Sequence, residues 1–125
     1  MIMKIIILEI NDSLVSFHSE LGEGYAKWSG EKPLLNHTYE VEVDIDDEFI
    51  WGQNITTTDA ISSITRDDSY YIIAIAEVIT YDEDGCLAVK LNESVILLEV
   101  EGVPNNVSGY VKFEAKDVTL FPVHL

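Results

Sequence analysis

The sequence predicts an all-β fold, a barrel or sandwich of mainly antiparallel strands, with residues 1–125 forming a single domain. Three observations predict it. Short runs rich in Ile, Val, Tyr and Thr recur along the chain, and clusters of Gly, Pro, Asn and Asp separate them. Residues 40–46, Glu40-Val41-Glu42-Val43-Asp44-Ile45-Asp46, alternate carboxylate with aliphatic side chains at the two-residue period of a strand. A chain of 125 residues with 47% hydrophobic content and a mean hydropathy of +0.13 holds enough apolar material for one core.

Met3 to Ile10 is an almost continuous aliphatic run, and Leu14 to Phe17 is its hairpin partner across Asn11-Asp12-Ser13. Leu21 to Trp28 is a third strand containing Gly22 and Gly24. Ser29 to Pro33 is a loop, because Gly30 and Pro33 both interrupt regular structure. Thr38 to Ile45 is the alternating strand, and Phe49 to Trp51 follow a bend at Asp46-Asp47. Over 58–66 the pattern changes to that of a short helix, capped by Thr58 or Asp59, with Ile61, Ile64 and Thr65 on one side and Asp67-Asp68-Ser69 closing it.

Tyr70 to Tyr81 is apolar on both faces, with small Ala74 and Ala76 where another layer approaches, as in a central strand. Asp82-Glu83-Asp84-Gly85 turns the chain into Cys86 to Leu91. Asn92-Glu93 turns it again into Ser94 to Glu101, with Ile96, Leu98 and Val100 on one face and Leu97, Glu99 and Glu101 on the other. After a Gly102 to Asn106 loop the chain closes with strands over Gly109 to Ala115 and Val118 to Val123. Five of the six asparagines stand in Asn-x-Ser/Thr triplets, which read as turn residues leading into strands.

Charge sets the partner class. Twenty-three acidic and seven basic side chains give a formal net charge of −16 and a pI near 4.2. Phosphate backbones and anionic bilayers repel such a surface, so neither nucleic acid nor a membrane is an expected ligand. A basic protein is the partner such a field steers inward. Cys86 is alone and can form no internal disulfide. The apolar start is interrupted by Lys4 and Glu9 and reads as a strand rather than a signal peptide; the expected location is cytoplasmic.

The residues expected to carry recognition are Glu40, Glu42, Asp44 and Asp46 on one strand face, Asp47 and Glu48 where the alternation stops, and Trp51 as an aromatic anchor. Charges on that face stand roughly 6 to 7 Å apart along the strand. No Lys or Arg lies between Lys32 and Arg66 to offset them. No catalytic set is expected. Cys86 has no flanking nucleophile motif, and His18, His37 and His124 are scattered. No His/Cys spacing suits zinc, and neither acidic turn fits the twelve-residue calcium loop. Gly22-Glu23-Gly24 lacks the Lys and Ser/Thr of a phosphate loop. Glu77, flanked by Ala76 and Val78, is the one carboxylate in a strongly apolar strand and becomes a site candidate if its face is buried. No cofactor is expected. A different class of reading is a small-ligand or saccharide module whose aromatic side chains stack on the ligand.

The tail Gly109-Tyr110-Val111-Lys112-Phe113-Glu114-Ala115-Lys116-Asp117-Val118-Thr119-Leu120-Phe121-Pro122, preceded by the long hairpin of residues 70–101, resembles the later strands of small oligonucleotide/oligosaccharide-binding (OB) barrels. That resemblance implies a five-stranded barrel built from the second half of the chain, with the first forty residues adding further strands. OB barrels that bind nucleic acid pair aromatic with basic side chains, and the basic part is missing. In size and acidity the chain also resembles bacterial immunity proteins, which implies inhibition of a basic toxin.

Overall fold

Strand-forming runs and turn residues become the elements they predict. The computed structural model describes residues 1–65 and 71–123. Its strands are β1 (Ile2–Asn11), β2 (Leu14–Ser19), β3 (Gly22–Trp28), β4 (Thr38–Ile45), β5 (Phe49–Ile50), β6 (Ile55–Thr58), β7 (Ser63–Thr65), β8 (Ile72–Tyr81), β9 (Cys86–Leu91), β10 (Ser94–Glu101), β11 (Tyr110–Ala115) and β12 (Val118–Pro122). Among the described residues none is helical. By contact density the chain divides into two units: Met1–Asp47 with Ile64–Ile73 and Ala115–Leu125, and Glu48–Ser63 with Ala74–Glu114.

The first unit contains a closed five-stranded barrel in the order β1-β2-β3-β12-β4-β1. Every pairing is antiparallel except β3 with β12, which runs Lys27 beside Thr119 and Trp28 beside Leu120. Asp12, at φ +55°, turns the tight hairpin between β1 and β2. Met3, Ile5, Ile7, Val15, Phe17, Ala26, Val41, Val43, Val118 and Leu120 fill the interior, all buried. Each large aliphatic or aromatic side chain so buried contributes about 1.5–3 kcal/mol. A Cβ at Gly24 would stand 3.0 Å from Cζ of Phe17 and 3.1 Å from Cγ1 of Ile72, so those side chains would have to give way slightly to admit one.

The second unit orders its strands β5-β10-β9-β8-β11-β6, with residues 74–81 of β8 taking part. Asn92, at φ +57°, turns the β9–β10 hairpin, and Gly85, at φ +91°, ends the turn between β8 and β9. Phe49 and Phe113 meet edge to face at 5.6 Å and 84° in its core, beside buried Ile55, Leu87, Leu98 and Val111.

Two expectations are corrected. Residues 58–65 form no helix: β6 runs to Thr58, a bend follows, and β7 occupies Ser63–Thr65. Thr56, Thr57 and Thr58 are β-branched and pair with Lys112, Val111 and Tyr110 of β11, so sheet pairing overrides the local signal. The Thr58 hydroxyl does accept the Ala60 N–H at 3.3 Å, a cap-like bond with no helix behind it. Arg66 and the Asp67-Asp68-Ser69 stop lie outside the described residues, as does Tyr70 of the predicted long strand. The barrel is also not where the OB resemblance put it. Four of its five strands come from residues 2–45, and only β12 of the tail joins them.

Candidate functional site

Alternation on β4 works as the sequence requires. Val41 and Val43 point into the barrel, at 0% and 6% exposure, while Glu40 and Asp44 are exposed on its outer face. Glu42, on the same face, is half-buried between its register partners Ile2 and Phe121, and its Oε1 accepts the Met1 α-ammonium at 2.6 Å. Asp46 continues the face past the end of the strand and is exposed. Its carboxyl is held above the ordinary value of 3.8, chiefly by the Asp44 carboxylate beside it, then by partial desolvation and by the charges of Asp117 and Asp47. Among the described residues no Lys or Arg side chain is ion-paired with Glu40, Asp44, Asp46 or Glu48.

Asp47 does something else. Its Oδ2 and Oδ1 accept the backbone N–H groups of Lys116 and Asp117, each at 2.8 Å. Asp117 is the residue that sequence reasoning missed. Its carbonyl accepts the Asp46 N–H at 3.0 Å and its Oδ1 accepts from Lys27 Nζ at 3.0 Å, which raises the Lys27 ammonium above its ordinary value. No local pattern could have flagged it, since its partners lie 70 and 90 residues away in sequence.

Glu48 and Trp51 belong to the second unit. Glu48 is exposed, and Trp51 is half-buried in a parallel bridge to Ile55, with its N–H on the Glu101 carbonyl at 2.9 Å. Glu77 is exposed opposite Lys90, so its face is not the buried one that would have made it a site. His18 is exposed with Nδ1 3.8 Å from Oε2 of Glu23, Cys86 is half-buried at the start of β9, and His124 lies outside the described residues. Among the described residues no three His, Cys, Asp or Glu side chains stand together as a metal site.

A second feature lies on the outer face of β1, β2 and β3. Met3, Ile5 and Ile7 face the core, and unbroken alternation would send Glu9 inward after them. A bulge between Ile7 and Glu9 reverses the face, so Glu9 points outward opposite Ser16, which in turn sits opposite Tyr25. These residues, with Asn11, Leu14 and Tyr71, line a cleft of about 340 Å³. Ser16 is 2% exposed, and its hydroxyl has no hydrogen-bond partner among the described residues. No family model, no curated protein and no solved structure matches the chain.

Proposed function

We propose that the protein is a non-enzymatic binding domain that takes a basic protein partner on the outer face of β4, through Glu40, Asp44 and Asp46, with Glu42 at its centre. One observation carries this reading. The Asp44 and Asp46 carboxylates are both exposed on one face, where the Asp44 charge raises the Asp46 pKa, and no Lys or Arg of the described residues is paired to either. An approaching Lys or Arg side chain relieves that repulsion, and a guanidinium can engage two carboxylate oxygens at once. The net charge of −16 steers such a partner from a distance. The barrel order, with its parallel β3–β12 closure, agrees with an OB-like barrel whose outer β4 face carries carboxylates where a nucleic-acid reader needs cations. A basic toxin, or a protein that itself grips nucleic acid, is the partner type that fits, in keeping with the likeness to immunity proteins.

The test uses an arginine-rich peptide as probe and follows association kinetics across a salt series. Wild-type protein is expected to bind with a steep salt dependence. The Glu40→Lys/Asp44→Lys variant is expected to lose at least tenfold in on-rate and to show a flattened dependence. Equal on-rates for the two proteins would take the β4 face out of the account.

A further inference from the structure

One edge of β10, in the second unit, is open. Residues 94–99 pair with β9, while on the other side β5 reaches only Val100 and Glu101. Among the described residues no strand covers that edge over residues 94–98. The Val100 N–H donates to the Gly85 carbonyl on the β9 side at 2.9 Å, and bonding alternates along an antiparallel strand, so Ser94, Ile96 and Leu98 are the residues bonded to β9. Val95 and Leu97 therefore turn their N–H and C=O groups to the open edge, as Glu101 turns its carbonyl to the Trp51 N–H at 2.9 Å. Their side chains are exposed as well, at 56% and 68%. Native sheets usually guard such an edge with a charge, a proline or a bulge. Residues 94–98, Ser-Val-Ile-Leu-Leu, hold none of these.

Charge selects what covers the edge. Exposed Glu93, in the turn, and exposed Glu99 flank Val95 and Leu97. Beyond Glu99 lies a cleft of about 640 Å³ whose lining includes Glu48, Glu83, Asp84 and Glu101 and no Lys or Arg. Lys90, opposite Val95 on β9, has Glu77 as its other register partner. A second copy fits poorly: the antiparallel register that sets Val95 against Leu97 also sets Glu93 against Glu99 at both ends, and like charges directly opposite each other oppose pairing. A segment with Lys or Arg at those two positions reverses the sign. We propose that the β10 edge takes an extended segment of a partner protein as an added strand, its side chains on that face running basic, apolar, apolar, basic. Backbone bonds to Val95 and Leu97 supply the pairing, and Glu93 and Glu99 select the sequence. This surface belongs to the second unit and does not depend on the β4 reading.

The probe is the peptide acetyl-Arg-Thr-Val-Thr-Val-Thr-Arg-amide, which presents that pattern in either strand direction, titrated into the ¹⁵N-labelled full chain. Hydrogen exchange at the Val95 and Leu97 amides is expected to slow about tenfold when free peptide stands about tenfold above its dissociation constant, because only the peptide-free edge is open to water. The Ile96 and Leu98 amides, already bonded to β9, are expected to keep their rates. Leu97→Lys, which leaves the backbone in place and repels a basic strand, is expected to weaken binding at least tenfold. The same peptide with every backbone amide N-methylated is expected to give no protection on the wild-type chain. Glu40→Lys/Asp44→Lys is expected to bind at β10 as wild type does, so failure of the β4 reading and failure of this one are told apart. The added strand is overturned by any of three results: Val95 and Leu97 exchange equally fast with and without peptide, the N-methylated peptide binds as tightly, or the wild-type chain is a dimer that Leu97→Lys converts to monomer, which would give the edge to a second copy.

Discussion

The backbone N–H of Asp117 donates to Oδ1 of Asp47 at 2.8 Å, joining the end of the acidic run to the start of the last barrel strand across 70 residues of sequence. Asp47 is therefore committed to the fold, although the sequence alone groups it with the carboxylates offered to a partner. Glu40, Asp44 and Asp46 remain available. Residues of one type in one run have divided into one that holds the fold and others that stay exposed, and the division follows from where the Lys116-Asp117 turn brings its donors.

Replacing Asp47 tests that division. Asp47→Ala strips the acceptor from two backbone N–H groups and is expected to lower stability by about 1–3 kcal/mol. Asp47→Asn, which keeps one carbonyl oxygen, is expected to lose about half of that. Urea denaturation measures both, and neither variant should alter the salt dependence of peptide binding.

Acid and neutral pH separate the Asp44–Asp46 repulsion from other effects. Asp46 has a raised folded pKa, so the folded chain holds its proton more tightly than the unfolded chain does. The repulsion is therefore absent below the ordinary value of 3.8, and it removes stability as pH rises through the raised folded value. Asp46→Asn is expected to melt at a higher temperature than wild type at pH 7, with the difference vanishing below pH 3.8. Equal melting temperatures at pH 7 would show that the two carboxylates do not oppose each other.

Gly22 is expected to tolerate no side chain. It sits at φ +134° and pairs with Ile64, and a Cβ there would overlap the Ile64 carbonyl oxygen. Both the conformation and the close approach demand glycine. Gly22→Ala should cost more than about 2 kcal/mol, whereas the same change at Gly109, whose Cβ would meet nothing within 4 Å, carries only the strain of φ +79°. Thermal melts of the two variants give the ranking.

In the second unit Phe113 is fully buried against Phe49. Phe113→Ala is expected to destabilise by about 3–5 kcal/mol, while Phe113→Leu, which keeps most of the volume, should cost well under half of that. Near-ultraviolet circular dichroism alongside chemical denaturation reads out both packing and stability.

Much of the strand inventory was legible because period and punctuation are local properties. The hairpin at Asn11-Asp12-Ser13, the alternation at Val41 and Val43, the Gly85 turn and the Val111-Phe113-Ala115 face all stand where side-chain chemistry and turn residues put them. The false helix at 58–65 came from reading a cap-like Thr58 without knowing that β11 would pair with its strand. The Ser16 cleft had no sequence signature at all, because a serine between Val15 and Phe17 gives no sign that its hydroxyl is buried, and the Glu9 face depends on a one-residue bulge.

By itself the sequence determined the all-β character, the acidity and which residues of the regularly alternating strands β4 and β11 face inward, since these follow from periodicity and composition along the chain. Tertiary structure decided which strands close the barrel, which carboxylates stay free and where the unpartnered hydroxyl lies. Those outcomes depend on pairings such as β12 with β3 and Asp47 with Asp117, and hydrogen bonds between residues 70 to 90 apart are specified by the whole fold rather than by any local stretch.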